Sequence, residues 1–280
     1  MVLMRGLAAG VVMFTWSLSG AAGTTARGAA TFDQSYADYG ALIAAHLSGD
    51  RVDYAVLVSN RAALDRVVAA FAGVTAADEA AWPQTQRMAY WINAYNLFTL
   101  RAIADHYPIR GGWLSLYPKN SIRQISGVWT VLRWNAADRR VTLDDIEHKI
   151  LRPQFQDPRV HFAVNCASVG CPPLASEPFR GDRLDRQLDA AAVRYLARPT
   201  GLVVSGMTLR LSSIFKWYGS DFDARFSASG PAGRTGTERA LLGLVATYGP
   251  PAARLVAQQP GARIAFFDYD WTLNDTAVKR

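Results

Sequence analysis

The sequence contains only two cysteines, Cys166 and Cys171, in 280 residues. Two cysteines exclude a disulfide-rich scaffold, although they can form one local bridge or leave a reactive thiol. Four well-known enzyme motifs are also absent: the phosphate loop GxxxxGK(S/T), the zinc helix HExxH, the nucleophile elbow GxSxG and the dinucleotide fingerprint GxGxxG. The two cysteines and their neighbours are therefore the most informative chemistry in the chain.

The chain also lacks a dense basic stripe. Its formal net charge is +7, but the lysines and arginines are scattered along it. This distribution predicts no nucleic-acid site, although a net positive charge permits association with anionic envelope surfaces. With 50% hydrophobic and 19% charged residues, the composition is that of an ordinary folded domain.

The first 23 residues have the order of a secretory signal peptide. Arg5 precedes an uncharged apolar run over residues 6–20, and small residues follow it. The run is shorter than the roughly 20 residues that a membrane-spanning helix needs, which favours a cleaved leader over an uncleaved anchor. We expect a signal peptide at 1–23, a linker at 24–31 and one domain at 32–276, exported to the periplasm or secreted, with no transmembrane segment after the leader.

Residues 84–107 form the most apolar helical pattern in the chain, and the pattern begins after Pro83. A helix that is apolar on nearly all sides belongs in the centre of a domain. Asn93 and Asn96 share one side of it, and buried amides need hydrogen-bond partners. We interpret them as ties to neighbouring loops, with direct ligand binding as the alternative.

Shorter patterns surround this helix. Helices are predicted at 32–47, 55–71, 184–196, 214–222, 238–248 and 252–257, and strands at 128–134, 140–142, 159–164, 202–204, 208–211 and 263–269. The irregular alternation of strands and helices favours an α+β fold over a doubly wound parallel sheet. The predicted fold is a single α+β domain whose central buried helix, about 84–107, packs on a small mixed or antiparallel sheet.

The helix predicted after Thr142 carries two candidate site residues. Thr142 and Asp145 form a capping-box-like pattern, and the helix is expected to end before Pro153. On a helical wheel Glu147 falls within the apolar face and His148 at its edge. A buried carboxylate needs a partner, which is either an arginine in a structural salt bridge or a histidine that Glu147 orients.

Cys166 lies where a predicted strand gives way to a loop. In a strand over 159–164, the two-residue period points His161 and Cys166 to opposite faces, so His148 is also a candidate base. At the start of the loop, backbone amides would lower the pKa of the thiol and receive an oxyanion, with Asn165 as a further donor. A thiolate nucleophile needs a base, and the base needs an acid that orients it. Glu147 on the preceding helix is the candidate for this orienting acid.

Three interpretations of this region remain open. A nucleophilic Cys166 would make the protein a thiol-dependent hydrolase or acyltransferase acting on an amide or thioester, its small-molecule or peptide substrate being unknown. A Cys166–Cys171 disulfide would instead stiffen the loop of a noncatalytic envelope protein that binds a partner or small ligand. A metal site from both cysteines, His148 and His161 is the third, although the CxxxxC spacing is atypical of zinc sites. No cofactor is implied.

Five blocks of sequence resemble those of a known family. They are residues 90–96 (YWINAYN), 142–152, 157–173 (DPRVHFAVNCASVGCPP), 211–218 and 269–274. Together they resemble the bacterial exported branch of domain-of-unknown-function family 547. The resemblance implies a Cys-His-Glu arrangement reminiscent of papain-like enzymes, which would involve Cys166, Glu147 and either His148 or His161.

Overall fold

The computed structural model describes residues 32–112 and 114–278 of the chain. The predicted signal peptide, 1–23, and the predicted linker, 24–31, lie outside the described residues. From residue 32 onward the chain forms one compact unit.

Helices make up most of the regular structure. The α-helices are Ala37–His46, Tyr54–Ser59, Arg61–Ala72, Ala76–Ala81, Gln84–His106, Arg152–Phe155, Leu184–Leu196, Ser213–Trp217, Asp223–Phe226, Gly236–Tyr248 and Pro251–Ala257. A π-helix spans Asp145–Leu151, and 3-10 turns lie at Ile122–Gln124, Pro158–Phe162, Gly219–Phe222 and Ser227–Ser229. Within the described part of the chain, none of the helices combines the length and the apolar character that crossing a membrane would require.

In residues 32–112 and 114–278 the strands pair into three small sheets. Two are antiparallel pairs, Leu47–Ser48 with Arg51–Val52 and Trp134–Ala136 with Arg139–Val141. The third is mixed, because Thr208–Ser212 pairs antiparallel with Leu202–Ser205 and parallel with Arg263–Phe267. A parallel pair needs a long crossover connection, which the helices between residues 213 and 257 provide. These small sheets among many helices confirm the predicted α+β class.

The helix Gln84–His106 is the centre of the first of two hydrophobic cores. Tyr90, Trp91 and Phe98 on this helix are completely buried, and burying a large apolar side chain contributes about 1.5–3 kcal/mol. The helix packs mainly against neighbouring helices, including the π-helix. The predicted central buried helix is therefore confirmed, and its closest packing partners are helical.

The second core joins the three-stranded sheet to the helices that connect its parallel strands and to the preceding helix Leu184–Leu196. Leu209 and Leu211 of the sheet pack there with Leu241 of the helix Gly236–Tyr248. Phe162 belongs to this second core, whereas its near neighbours Val160 and Ala163 belong to the first. The 3-10 turn Pro158–Phe162 therefore lies between the two cores.

Asn93 and Asn96 hold two loops against the central helix. Asn93 Nδ2 donates to the Phe179 carbonyl at 2.8 Å, and its Oδ1 accepts from the Phe179 N–H at 2.9 Å. Asn96 Nδ2 donates to the Ala163 carbonyl at 2.9 Å, and its Oδ1 accepts from the Asn165 N–H at 2.7 Å. The interpretation of both amides as ties to loops is confirmed.

The prediction of a strand over 159–164 is wrong. Asp157 begins a 3-10 turn there, since its carboxylate accepts from the Arg159 N–H at 3.0 Å, and Pro158 occupies the first turn. The apolar run that suggested a strand reflects burial against both cores. His161 and Cys166 are consequently not separated by the two faces of a strand.

The prediction that the helix after Thr142 ends before Pro153 is also wrong. The π-helix continues directly into the α-helix Arg152–Phe155, with Pro153 in the first turn of that helix. A proline is tolerated there because its missing N–H would have no partner within the new helix.

Candidate functional site

The helix that carries Glu147 and His148 begins with the predicted cap. The Asp145 N–H donates to Thr142 Oγ1 at 3.0 Å, and the Thr142 N–H donates to Asp145 Oδ2 at 3.0 Å. Residues 145–151 then form a π-helix, a conformation often found at functional sites. Both Glu147 and His148 line one cavity from this segment.

That cavity, of about 310 Å³, contains most of the predicted site residues. Cys166, Glu147, His148 and His161 all line it. The aromatic part of its lining consists of Tyr95, Trp129, Trp217, Tyr218, Tyr269 and Trp271. We call this cavity the cysteine pocket, and it brings four of the five predicted residues together.

Asn165, the fifth, holds the loop that follows it. Its Oδ1 accepts from the Ala167 N–H at 3.0 Å, and its Nδ2 donates to the Pro172 carbonyl at 2.7 Å. Ala167 has φ +59°, a left-handed conformation that a non-glycine residue adopts only with support. Asn165 is 3% exposed and lines a neighbouring cavity. It fixes the loop 165–173, the cysteine loop, and the structure does not bring its amide into the cysteine pocket.

The backbone amides of the cysteine loop are also engaged. The Cys166 N–H donates to Cys171 Sγ at 3.0 Å, and the Val169 N–H donates to the Thr272 carbonyl at 2.8 Å. The Ala167 N–H donates to Asn165 Oδ1. Contrary to the sequence-based expectation, these three amides are not free to receive an oxyanion.

Cys166 is a half-buried free thiol with three polar neighbours. Its Sγ lies 3.0 Å from Cys171 Sγ and 3.3 Å from both Ser168 Oγ and the Tyr269 hydroxyl. The hydrogen bond from Cys171 lowers the pKa of Cys166 to about 7 although burial opposes ionisation, and Ser168 and Tyr269 add to the lowering. Burial raises the pKa of Cys171 well above its usual value. When the pair loses a proton, the charge therefore resides on Cys166.

The two histidines of the cysteine pocket bond to residues other than the cysteine. His161 Nε2 is 2.8 Å from Asp221 Oδ2, and His148 Nδ1 is 2.9 Å from an Arg152 guanidinium nitrogen. Among the described residues, no histidine makes a hydrogen bond with the Cys166 sulfur. The thiolate is consequently stabilised by neutral donors rather than by a bonded imidazolium.

The metal interpretation finds no support in this geometry. In the part of the chain that the structure describes, the cysteines and histidines do not form a cluster that could hold a metal ion.

Asp221 is a site residue that the sequence reasoning missed. Its carboxylate accepts from Arg152 Nε at 2.7 Å and Arg152 Nη2 at 2.8 Å, besides its contact with His161. Burial opposes ionisation, yet the hydrogen bonds from His161 and Arg152 hold the pKa of Asp221 well below its usual value. No local pattern could reveal this partner, because Asp221 lies 60 positions from His161 along the chain.

Tyr218 lies beside both histidines and Glu147. Its ring stacks on that of His161 at 4.3 Å between centroids and lies 6.1 Å from the ring of His148. Burial and the negative charge of Glu147 raise the pKa of Tyr218. Among the described residues, neither a histidine nor an arginine forms a salt bridge with Glu147.

Asp221→Asn is expected to lower the free energy of unfolding by about 1–3 kcal/mol at neutral pH, because it removes the charge partner of Arg152 and His161. The pKa of Asp221 is lowered in the folded state, so its stabilisation is complete above the unfolded pKa of about 4 and declines as the pH falls below it. Urea unfolding at about pH 6 and about pH 3 measures the change.

The matched control is Asp182→Asn, whose exposed pair with Arg180 should contribute less than about 1 kcal/mol. If the difference between Asp221→Asn and the natural protein were the same at both pH values, the carboxylate would not be ionised preferentially in the folded state.

One segment that contributes to this site is similar to a known family. Residues 80–196 match the family model DUF547, described as a protein of unknown function. The match supports the family resemblance, and it includes the sequence blocks at 90–96, 142–152 and 157–173. Comparisons with curated proteins and with solved structures give no match.

The DUF547 segment provides only part of the cysteine pocket. Glu147, Cys166 and both histidines of the pocket lie inside it, whereas Tyr218 and Tyr269 come from the following residues. The pocket is therefore completed by the second core, beyond the matched segment.

Proposed function

We propose that the protein is a thiol-dependent hydrolase or acyltransferase in which Cys166 attacks the carbonyl carbon of an amide or thioester. The observation that supports this most directly is a half-buried thiol of lowered pKa, bordering a pocket that also contains a carboxylate and two imidazoles. The thiolate is the reactive form. A pKa of about 7 leaves about half of Cys166 ionised at neutral pH without sacrificing much nucleophilicity.

In the proposed reaction, Cys166 Sγ forms a bond to the acyl carbon, and the C–N or C–S bond of the substrate breaks. The leaving amine or thiol takes a proton, and we assign its donor to His161, which lines the cysteine pocket and whose ring Asp221 orients. Water, or an acceptor nucleophile, then attacks the acyl-Cys166 thioester and gives its proton back to His161 while Cys166 leaves as the thiolate. Water as the attacking group makes the protein a hydrolase, and another acceptor makes it an acyltransferase.

The negative charge that develops on the substrate oxygen needs donors other than the loop amides. The Tyr269 hydroxyl and Ser168 Oγ both lie 3.3 Å from the Cys166 sulfur. Burial raises the pKa of Tyr269 well above its usual value, so this hydroxyl stays protonated and able to donate. Ser168, like Asn165, lines the neighbouring cavity rather than the cysteine pocket. We therefore assign the Tyr269 hydroxyl, which lines the cysteine pocket, to the oxyanion.

The pH dependence of Cys166 alkylation tests the nucleophile directly. We expect iodoacetamide to label Cys166 with an apparent pKa of about 7. In Cys171→Ala the pKa should rise towards the ordinary value of about 8.5, because the strongest donor to the thiolate is lost. Cys171→Ser, which retains a hydroxyl donor, should remain closer to the natural protein.

Labelling rates followed by mass spectrometry across the pH range provide the measurement. An ordinary pKa in the natural protein, or no difference between the alanine and serine variants, would contradict the proposal.

The alternative is a noncatalytic envelope protein with a Cys166–Cys171 disulfide. The observation in its favour is the 3.0 Å separation of the two sulfurs, since a small movement would bring them to the bond length of about 2.05 Å. The leader-like residues 1–23 support export to a compartment where such a bond persists. Protein purified without reductant decides between the two: two free thiols favour the enzyme, and none favours the binding protein.

A further inference from the structure

Arg123 lines the cysteine pocket, and three aromatic rings surround its guanidinium. The Arg123 Cζ lies 4.2 Å from the ring centroid of Tyr117, 4.7 Å from that of Trp271 and 5.7 Å from that of Trp129. Cation–π attraction on several sides restricts the side chain to one region. Its backbone is fixed as well, because the Arg123 N–H donates to Ser121 Oγ at 3.2 Å.

The charged group itself has no polar partner within the described part of the chain. Among the described residues, no side chain or carbonyl forms a hydrogen bond or ion pair with the guanidinium of Arg123. Two carboxylates, Glu147 and Asp144, line the cysteine pocket with Arg123, and among the described residues neither forms an ion pair with it; Asp144 lies 3.4 Å from His148 Nε2 instead. The donors of Arg123 are therefore available to a group that enters from outside.

Two neighbouring rings, inclined to each other by 56°, lie between Arg123 and the candidate nucleophile. Trp271, which lies beside the guanidinium, has its ring centroid 4.6 Å from that of Tyr269. The Tyr269 hydroxyl in turn lies 3.3 Å from the Cys166 sulfur. Arg123 and Cys166 both line the cysteine pocket, so a ligand that extends along these two rings would contact both the arginine and the thiol.

We propose that Arg123 binds a carboxylate of the acyl substrate, so that the enzyme acts on acyl compounds that carry a free carboxylate near the scissile carbonyl. This proposal rests on the proposed function and specifies its substrate class. The guanidinium lies beside aromatic rings and has no polar partner among the described residues, and its N–H donors form a planar fork that matches a carboxylate. Arg123 acts here as a specificity-determining residue.

Iodoacetate and iodoacetamide test the proposal without knowledge of the substrate. The two reagents alkylate the same thiolate and differ mainly in charge. Both rates are proportional to the ionised fraction of Cys166, so the ratio of the rates does not depend on that fraction. We expect Arg123→Gln to lower the iodoacetate-to-iodoacetamide ratio roughly 3- to 10-fold. Arg66→Gln, an equal change of charge at an exposed position outside the pocket lining, should leave the ratio unchanged.

An unchanged ratio in Arg123→Gln would overturn the carboxylate site, and so would an equal fall in Arg66→Gln, which would show only a long-range effect of net charge. Arg123→Lys provides a further comparison: it keeps the charge but loses the planar fork, so a ratio between those of the natural protein and Arg123→Gln is expected.

A second measurement does not require a reactive thiol. It compares the quenching of tryptophan fluorescence by iodide with quenching by neutral acrylamide in Cys166→Ser and in the double variant Cys166→Ser, Arg123→Gln. Trp129 and Trp271 adjoin the guanidinium, so an anion held by Arg123 lies beside them. We therefore expect a higher iodide-to-acrylamide quenching ratio in Cys166→Ser than in the double variant. If Cys166 is inert to both alkylating reagents and iodide quenching still depends on Arg123, the enzyme proposal fails and the anion site stands. If Cys166 reacts with both but neither measurement depends on Arg123, the anion site fails and the enzyme proposal stands.

Discussion

Replacing Cys166 with serine is expected to abolish turnover and alkylation in the cysteine pocket while leaving the fold in place. A serine hydroxyl is not ionised near neutral pH, and of the residues that the structure describes, none that could act as a base is hydrogen-bonded to position 166. Loss of an enzyme nucleophile reduces turnover by about 10⁴- to 10⁶-fold. Because the exchange is close to isosteric at a half-buried position, the free energy of unfolding should change by about 1 kcal/mol or less.

A panel of thioesters and amides, with and without a free carboxylate, provides the activity measurement, and urea unfolding provides the stability measurement. Cys171→Ser is the matched control, since it makes the same chemical change 3.0 Å away and should retain measurable turnover. Turnover that survives in Cys166→Ser would remove Cys166 from the reaction, whatever substrate is found.

Asn96→Ala and Asn93→Ala should each lower the free energy of unfolding by about 3–5 kcal/mol, because each removes two buried hydrogen bonds and leaves a backbone N–H and a carbonyl without partners. Their effects on the thiol should differ. The partners of Asn96 are Ala163 and Asn165, which immediately precede Cys166, whereas the partner of Asn93 is Phe179.

We therefore expect only Asn96→Ala to raise the pKa of Cys166 and slow its alkylation, because the cysteine loop loses the contact that positions it. Urea unfolding and the pH profile of alkylation, measured where both variants are folded, separate stability from positioning. The positioning role of Asn96 would be rejected if the two variants had the same alkylation profile at comparable stability.

Local patterns were sufficient to predict several elements of the fold. The helix Gln84–His106 could be found because its apolar residues are continuous, and the helix Leu184–Leu196 because its apolar residues have helical spacing. The capping box of Thr142 and Asp145 depends on residues three positions apart. The strands Leu202–Ser205 and Thr208–Ser212 adjoin a two-residue turn. In each case the residues that determine the element lie close together in the sequence.

The segment 159–164 shows where such patterns are insufficient. A short apolar run has no period of its own, so burial between two cores looks like a strand in the sequence. The decisive features are Asp157 and Pro158, which begin a 3-10 turn. The cap residue was a usable signal, since an aspartate followed by a proline favours a turn.

The composition of the site was predictable only in part, for a similar reason. The burial of Glu147 followed from the helical wheel, but its neighbour Tyr218 is 71 positions further along the chain. Tyr269 lies 103 positions from Cys166, and Asp221 lies 60 positions from His161. Such pairs form only when the second core packs against the first. The periodicity of a single sequence contains no information about this packing.

The π-helix Asp145–Leu151 has a consequence for the comparison of related sequences. Hydrogen bonds in a π-helix join residues five apart rather than four, so each such turn holds one residue more than an α-helical turn. A chain with one residue deleted here would form an ordinary α-helix, and the side chains on one side of the deletion would rotate by about 100° relative to the other side. Glu147 and His148, which are adjacent, would then turn together relative to one end of the helix and face the pocket differently. A one-residue gap in this segment would therefore mark a relative with a different active-site geometry, even if its cysteines and histidines were all retained.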